Sequence, residues 1–577
     1  MNISKGTRSI RSRNSSESDL TKMALHVPKA PGVHQMLRGG ARVYSGMEEA
    51  VLRNINACKE FSHSLRTAFG PNGMAKIIVN YLNNQFVTSD AATIVRELEI
   101  QHPAIKVLAD AAFVQQDEMG DAVNYVIILA GALLEYAEEP LSMGVTPAEI
   151  ADGYELALAF AENHLTKMVA YDFTDICSLE SVKKILNSVI QSRQFGLEDV
   201  LTPLVAQGCV AVRSATDDFS TGRLRVCKIL GGGLHASTVV RGMVLKRIVS
   251  GVVRDATDAG VAVYDCPVDY SRTETKGTVL FHTAAELRNY SHDEDRILEE
   301  QIRALAEAGV KVVVCSGKVG DMALHFLNKH HLMVVRLISK FDLLRVSEAV
   351  GARVLCNLKP PLKEELGHSD EVIASEIGDN CVIIFRRNRQ INRVDEGKGD
   401  SIVGCPLATV LLRGATDAAM DNAERAMQSA LAVYNAALRD GRFVAGAGAT
   451  EIELRKELLS HANTLPGMEQ YAIRQFAKAL EIIPRCIAEN TGANATESLD
   501  SVIDAHNWGH MYAGMDIETQ DTAVTCFDVV ERDVLDALVV KHWALKRATQ
   551  AACTVLRIDH IVMARPAGAP TMPADDL

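Results

Sequence analysis

Gly120-Asp121-Ala122-Val123-Asn124 puts a carboxylate in a short loop ahead of an apolar run, Tyr125 to Tyr136. The run reads as a long helix, apolar on nearly every face through Leu134 and therefore buried. A helix N-terminus offers unpaired backbone N–H groups and a positive partial charge, which attract anions. Asp121 in that place would hold a divalent cation, with phosphate oxygens completing its shell. The same residues also suit an ordinary turn and cap. Four other blocks carry glycine or aspartate in turn-like settings: Gly70-Pro71-Asn72-Gly73, Thr88-Ser89-Asp90-Ala91-Ala92-Thr93-Ile94, Gly446-Ala447-Gly448-Ala449 and Gly514-Met515-Asp516.

The elements that must position these blocks can be read from periodicity. Met47, Val51, Ile55, Cys58, Phe61 and Leu65 recur at helical spacing. That helix must stop before Gly70-Pro71, where proline and two glycines force a turn. Lys76 to Val79 reads as a short strand, and Asp90 as the cap of a helix through Ile94 and Leu98. The region after residue 416 is again helix-rich, so the two terminal segments are expected to pack as one discontinuous helical domain. The middle alternates. Val261–Tyr264, Val310–Val314 and Leu332–Leu337 are strand-like, separated by helical stretches at Leu298–Ala308, Asp321–Lys329 and Asp342–Val350. That order predicts an α/β domain with some parallel pairing.

The chain has 577 residues, room for about three or four domain-sized units. A formal net charge of −13 argues against a general nucleic-acid binder and against an anionic membrane surface. No apolar stretch approaches the ~18 residues of a membrane span. The twelve cysteines stand singly, with no Cys-x-x-Cys and no cluster at zinc spacing, which reads as reduced thiols in a cytosolic protein. No Ser/His/Asp or Cys/His grouping is recognisable, so a stand-alone enzyme of another class has little support. Residues 1–22 are basic and serine-rich like a mitochondrial presequence, but they lack a helical apolar stripe and read as a disordered extension.

The five blocks, in this order, resemble the group II chaperonins. There the patterns are Gly-Pro-x-Gly, Asn-Asp-Gly-Ala-Thr, Gly-Asp-Gly-Thr-Thr, Gly-Gly-Gly-Ala and Gly-x-Asp. The resemblance covers nearly everything from Met23 to Pro566, and Met23–Gly32 and Tyr471–Phe476 look most like the eukaryotic cytosolic branch, TRiC/CCT. It implies a multidomain α/β chaperonin fold with a discontinuous helical equatorial domain (23–146 and 416–577, with a mobile tail from about 564), a small intermediate domain (147–221 and 371–415) and an α/β apical domain (222–370). It also implies ATP or ADP with Mg²⁺ as cofactors. The implied partners are paralogous subunits in a double ring and unfolded clients of the actin and tubulin class, with no nucleic acid and no membrane. Thr273–Lys276 matches an apical block, Phe341–Val350 the client-binding helix, and Ala284–Glu300 the protruding built-in lid.

In that family the Asp121 position binds magnesium, and Asp90 supports the magnesium and water side. Phe69 and Gly70 correspond to the loop beside the nucleotide, Gly446 and Ala447 to a glycine loop, and Asp516 and Asp536 to acidic positions near ribose and base; Tyr125 continues the phosphate loop. The departures are specific. Ala122 adds a Cβ where the pattern has glycine. Val123 replaces a hydroxyl, and a lost hydrogen bond to a charged phosphate costs about 1.5–3 kcal/mol. Asn124 keeps a donor that a phosphate would accept. Ala447 replaces glycine, a milder change. In Glu424-Arg425-Ala426-Met427-Gln428-Ser429-Ala430, Ser429 stands where the family has the aspartate that orients the attacking water. Losing a positioned base costs about 10²–10⁴ in rate. On the residues alone, Ser429 would be a solvent-facing helix position.

Overall fold

The computed structural model describes residues 42–45, 50–80, 82–173, 176, 178–213, 219–269, 282–387, 391–393, 401–403, 407–517 and 526–563. The basic extension 1–22, the Thr273–Lys276 block and the tail from 564 lie outside them, as do the side chains of residues 285–294 in the expected lid. Residues 54–557 form one unit. In a second, the strand Arg42–Ser45 pairs antiparallel with His560–Met563.

Among the described residues, seven α-helices precede the middle region: α1 (Leu52–Arg66), α2 (Ala91–Glu97), α3 (Pro103–Glu118), α4 (Val123–Ser142), α5 (Pro147–Leu165), α6 (Leu179–Arg193) and α7 (Glu198–Val212). α4 begins two residues earlier than its apolar run, and Val126 through Leu134 are all buried. The hairpin Lys76–Val79 and Gln85–Thr88 sits before α2, and the Asp90 side chain accepts from Thr93 N at 3.0 Å, making the cap that the sequence implies. α5 starts with a reciprocal cap, Thr146 with Glu149.

Nine strands follow in one mixed sheet. Its spatial order is Leu224–Leu230, Ala408–Gly414, Thr238–Leu245, Asn380–Arg386, Gly367–Ile377, Asp255–Tyr264, Val310–Cys315 and Met333–Arg336, with Val354–Leu355 beside Asp255–Tyr264. Asp255–Tyr264, Val310–Cys315 and Met333–Arg336 run parallel, as the alternation requires. The crossovers are α8 (Ala284–Glu307) and α9 (Asp321–Lys329), and α10 (Lys340–Val350) follows the last of these strands. Val312, Val314, Met333 and Val335 pack toward Leu343 and Val346 of α10, whereas Val313 and Val334 pack toward Leu298 and Ile302 of α8. This division follows from strand side chains alternating between the two faces of a sheet.

The chain then returns as α11 (Asp417–Arg439), α12 (Ala449–Ala462), α13 (Glu469–Leu480), α14 (Ile482–Thr491), α15 (Ala495–Asn507) and α16 (Leu538–Leu556). α16 packs on α3, α4 and α5, and α13 packs on α4 and α5, so helices from both ends of the chain share one body. Two boundaries differ from the expected ones. α5 buries Ile150, Tyr154, Ala157 and Ala161 against that body, so the chain leaves it after Leu165, not at 147. α11 packs instead on α6 and α7, and its Met420, Met427, Leu431 and Tyr434 share a core with Val182, Ile190 and Val205. It therefore goes with the connecting region, and the boundary falls near 440 instead of 416. The continuous apolar stripe of each helix decides which neighbour it joins.

Candidate active site: a cavity between three loops and two helices

A cavity of about 380 Å³ opens between the loops at 68–71, 88–90 and 121–125, with α6 and α11 across from them. This size suits a small-molecule ligand. Of the residues expected at a site, Phe69, Gly70, Asp90, Asp121, Ala122, Val123, Asn124, Tyr125, Ala447, Asp516 and Asp536 all line it; Gly446 and Ser429 do not.

Two helix N-termini point into this space. α4 begins after Ala122 and α12 after Gly448, and neither has a side-chain cap. The first N–H groups of α4 are therefore available to an anion, whereas Ala449 N at the start of α12 already donates to Gly446 O at 3.0 Å. Both preceding alanines adopt left-handed backbone, Ala122 at φ 63° and Ala447 at φ 49°. For an L-residue that conformation costs about 1–2 kcal/mol. Ala447 is thus no milder a departure than Ala122: each holds a left-handed backbone that glycine adopts without that cost.

Three expected contacts fall differently. Asn124 turns inward: its amide donates to Ala68 O at 3.2 Å and to Ser89 O at 3.5 Å, and its Oδ1 accepts from Ala91 N at 3.0 Å. The side chain ties three loops together instead of presenting its donor to a phosphate. Val123 is 1 % exposed, packed among Leu65, Ile94 and Ile127. Ser429 is buried at 3 % exposure and does not face solvent. The cavity-facing residues of α11 are Asn422, Arg425, Ala426 and Val433, none of them acidic. Its nearby carboxylates, Asp421 and Glu424, are paired with Lys228 at 2.5 and 2.7 Å.

Most charged groups of the cavity are paired with one another, while Arg425 donates to the neutral Asn422 Oδ1 at 2.8 Å. Arg193, the last residue of α6, donates Nη1 to Asp90 Oδ1 at 2.7 Å and Nη2 to Asp121 Oδ1 at 2.9 Å. Burial alone would raise the Asp90 carboxyl, but the Arg193 charge and hydrogen bonds from Arg193 and Thr93 outweigh it and hold the group below its ordinary range. Burial would likewise lower Arg193, and the two aspartates reverse that and push it up. On the opposite wall Lys541 bridges Glu451 at 3.0 Å and Asp536 at 2.9 Å. Its pKa also rises, because both carboxylates outweigh its desolvation. Tyr125 is buried beside Glu451, and burial followed by the charges of Glu451 and Asp536 raises its phenol. Asp516 lies 3.6 Å from Arg532, which stacks over Phe527 at 4.6 Å.

The sequence reading did not single out Arg193, Glu451 or Lys541. Arg193 closes a helix, where a cation commonly does no more than complement the dipole. No motif at that position marks it as a partner of residues about 70 and 100 positions upstream. As a donor set, two carboxylates would suit Mg²⁺ sharing phosphate oxygens. Yet the Oδ1 of each is already taken by a guanidinium, whose charge repels a second cation at this range. Among the described residues no three His, Cys, Asp or Glu side chains converge as a metal site. The divalent ion expected on Asp121 does not fit this arrangement.

Residues 61–566 match the TCP-1/cpn60 chaperonin family, and the chain belongs to that family. Its sequence is 47% identical to the T-complex protein 1 subunit theta of Bos taurus and to that of Homo sapiens, each over 552 residues, 96% of this chain and 98% of the relative. The Caenorhabditis elegans protein of the same name is 45% identical over 546 residues, 94% of this chain and 96% of its own length. The mixed α/β architecture is that of a multidomain chaperonin. Among the described residues no helix is long and apolar enough to cross a membrane.

Proposed function

We propose that the chain is the theta-type subunit of a cytosolic, hetero-oligomeric double-ring chaperonin, and that it holds ATP or ADP in this cavity while hydrolysing ATP far more slowly than its neighbours. The observation that carries the slow hydrolysis is the cavity-facing side of α11. It offers Asn422, Arg425, Ala426 and Val433, and the position of the water-orienting aspartate is a buried serine. A neutral hydroxyl is no general base, and the absence of one slows turnover by about 10²–10⁴. Nucleotide retention is supported by the N-terminus of α4, which has no side-chain cap and opens on this cavity.

The clients of this reading are unfolded polypeptides of the actin and tubulin class. α10 supports it, because Phe341 and Leu344 are 72% and 52% exposed, with Ile338 just before the helix at 69%. Arg345 and Asp342 stand among them, giving a mixed and adaptable face.

The test is to assemble the complex with an aluminium-fluoride transition-state mimic and inspect this subunit. Unhydrolysed ATP, or no mimic, while neighbouring subunits have turned over is the expected result. A fully ordered mimic with a water held in line near Ser429 would overturn it and favour a fully active ATPase.

A further inference from the structure

We infer that Arg193 serves as the resident cation of the nucleotide cavity: its guanidinium takes the place of a divalent metal between Asp90 and Asp121 and makes this subunit's site metal-free. This deepens the nucleotide reading above, but it rests on a different part of the site.

Four observations lead to it. First, the contact is bidentate and shared. One planar fork reaches the Oδ1 of both aspartates, at 2.7 and 2.9 Å, so neither carboxylate is left without a counter-charge. Second, all three groups are withdrawn from water, with side-chain exposures of 16, 11 and 21% for Arg193, Asp90 and Asp121. In that setting the attraction is not screened as a surface pair would be. Third, each aspartate is fixed from its own side. Asp90 Oδ2 accepts from Thr93 N and Oγ1 at 3.0 and 2.8 Å, and the Asp121 carbonyl accepts from Gln115 Nε2 at 3.0 Å. The acceptors are thus held ready for the fork. Fourth, the charges decide against a shared site. The guanidinium offsets one of the two carboxylate charges and leaves a net −1, and a divalent ion drawn to that remainder would have to displace Arg193 or sit beside it against repulsion. A magnesium ion also demands near-octahedral oxygen ligands, and the guanidinium supplies none.

The arrangement has a mechanical side as well. Arg193 ends α6, which packs with α7 and α11, whereas Asp90 and Asp121 open α2 and α4. The clamp therefore ties the connecting helices directly to the phosphate-facing loops, without a nucleotide–metal bridge between them.

The experiment compares the assembled complex carrying the natural chain with one carrying Arg193→Gln, each in ADP with Mg²⁺, by cryo-EM of this subunit. The natural chain should show the guanidinium on both carboxylates and no ion between them. Arg193→Gln should show an ion bound there, and adding a chelator should change nucleotide occupancy in the variant but not in the natural chain. An ion on Asp121 with Arg193 swung away in the natural chain would overturn the inference. So would an Arg193→Gln site that stays free of metal, because Arg193 would then not be what excludes it. Arg193→Lys supplies a check that keeps the charge: a point ammonium cannot span both carboxylates as the fork does, so partial metal occupancy is expected. ADP is read as separate density. Its absence from both complexes would end the nucleotide reading, while the ion and Arg193 densities would still decide this one.

Discussion

The cavity and the α10 face treat their side chains in opposite ways. In the cavity Arg193 meets two aspartates, and Lys541 meets Glu451 and Asp536. On α10, Phe341 and Leu344 stand in solvent, uncovered by the described residues. A buried charge cannot be left alone, so the carboxylates of the cavity wall are paired with Arg193 and Lys541. An exposed apolar side chain carries no such penalty and can remain open for a partner. The difference teaches how each region is held: one pairs its charges internally, the other leaves apolar side chains open.

The comparison can be broken most forcefully at Lys541. Lys541→Met leaves Glu451, at 1% exposure, buried without its cation, and should cost about 3–5 kcal/mol. Denaturant midpoints of the complex measure it, and Lys541→Met with Glu451→Gln should recover much of the loss. A midpoint unchanged by Lys541→Met would show that the wall is not held by its charges. Ala122→Gly sharpens the account of the loop: relieving a φ of 63° should stabilise the fold by about 0.5–1 kcal/mol, after glycine's own entropy is counted. A loss of stability would show that the Ala122 Cβ is needed for packing.

On α10 the expected stability change is smaller still. Phe341→Ser with Leu344→Ser should stay within about 0.5 kcal/mol, as exposed substitutions do. Capture of chemically unfolded actin by the complex should nonetheless weaken, and unimpaired capture would remove α10 from the client surface. The smallest effect concerns pH. The Asp90 carboxyl lies below its ordinary value of 3.8, so the stability it contributes is present above that value and is lost as pH falls through the lowered one. Hydrogen exchange of α6 should therefore be flat from about pH 5 to 9 once corrected for the intrinsic rate, with loosening only in stronger acid. A transition near neutrality would mean that another group governs the clamp.

Much of this could be read from residues close together in the chain. Asp90 caps α2 because its carboxylate is three residues from the N–H it accepts. The parallel strands and their crossovers follow from local alternation, and each of the five glycine and aspartate blocks contributes residues to the cavity wall. Each of these depends on interactions within a few residues, where composition and period are sufficient. The tertiary structure alone decided the rest. The direction of the Asn124 amide, the burial of Ser429, the left-handed turn at Ala447 and the side of the boundary that α11 joins all depend on which helix packs where. Arg193 is the clearest case: its partners lie 103 and 72 residues away, and only the packing of α6 across from the loops brings one guanidinium within reach of both. Charge pairs at such separations leave no period and no spacing in the sequence, because their geometry is set by the whole fold.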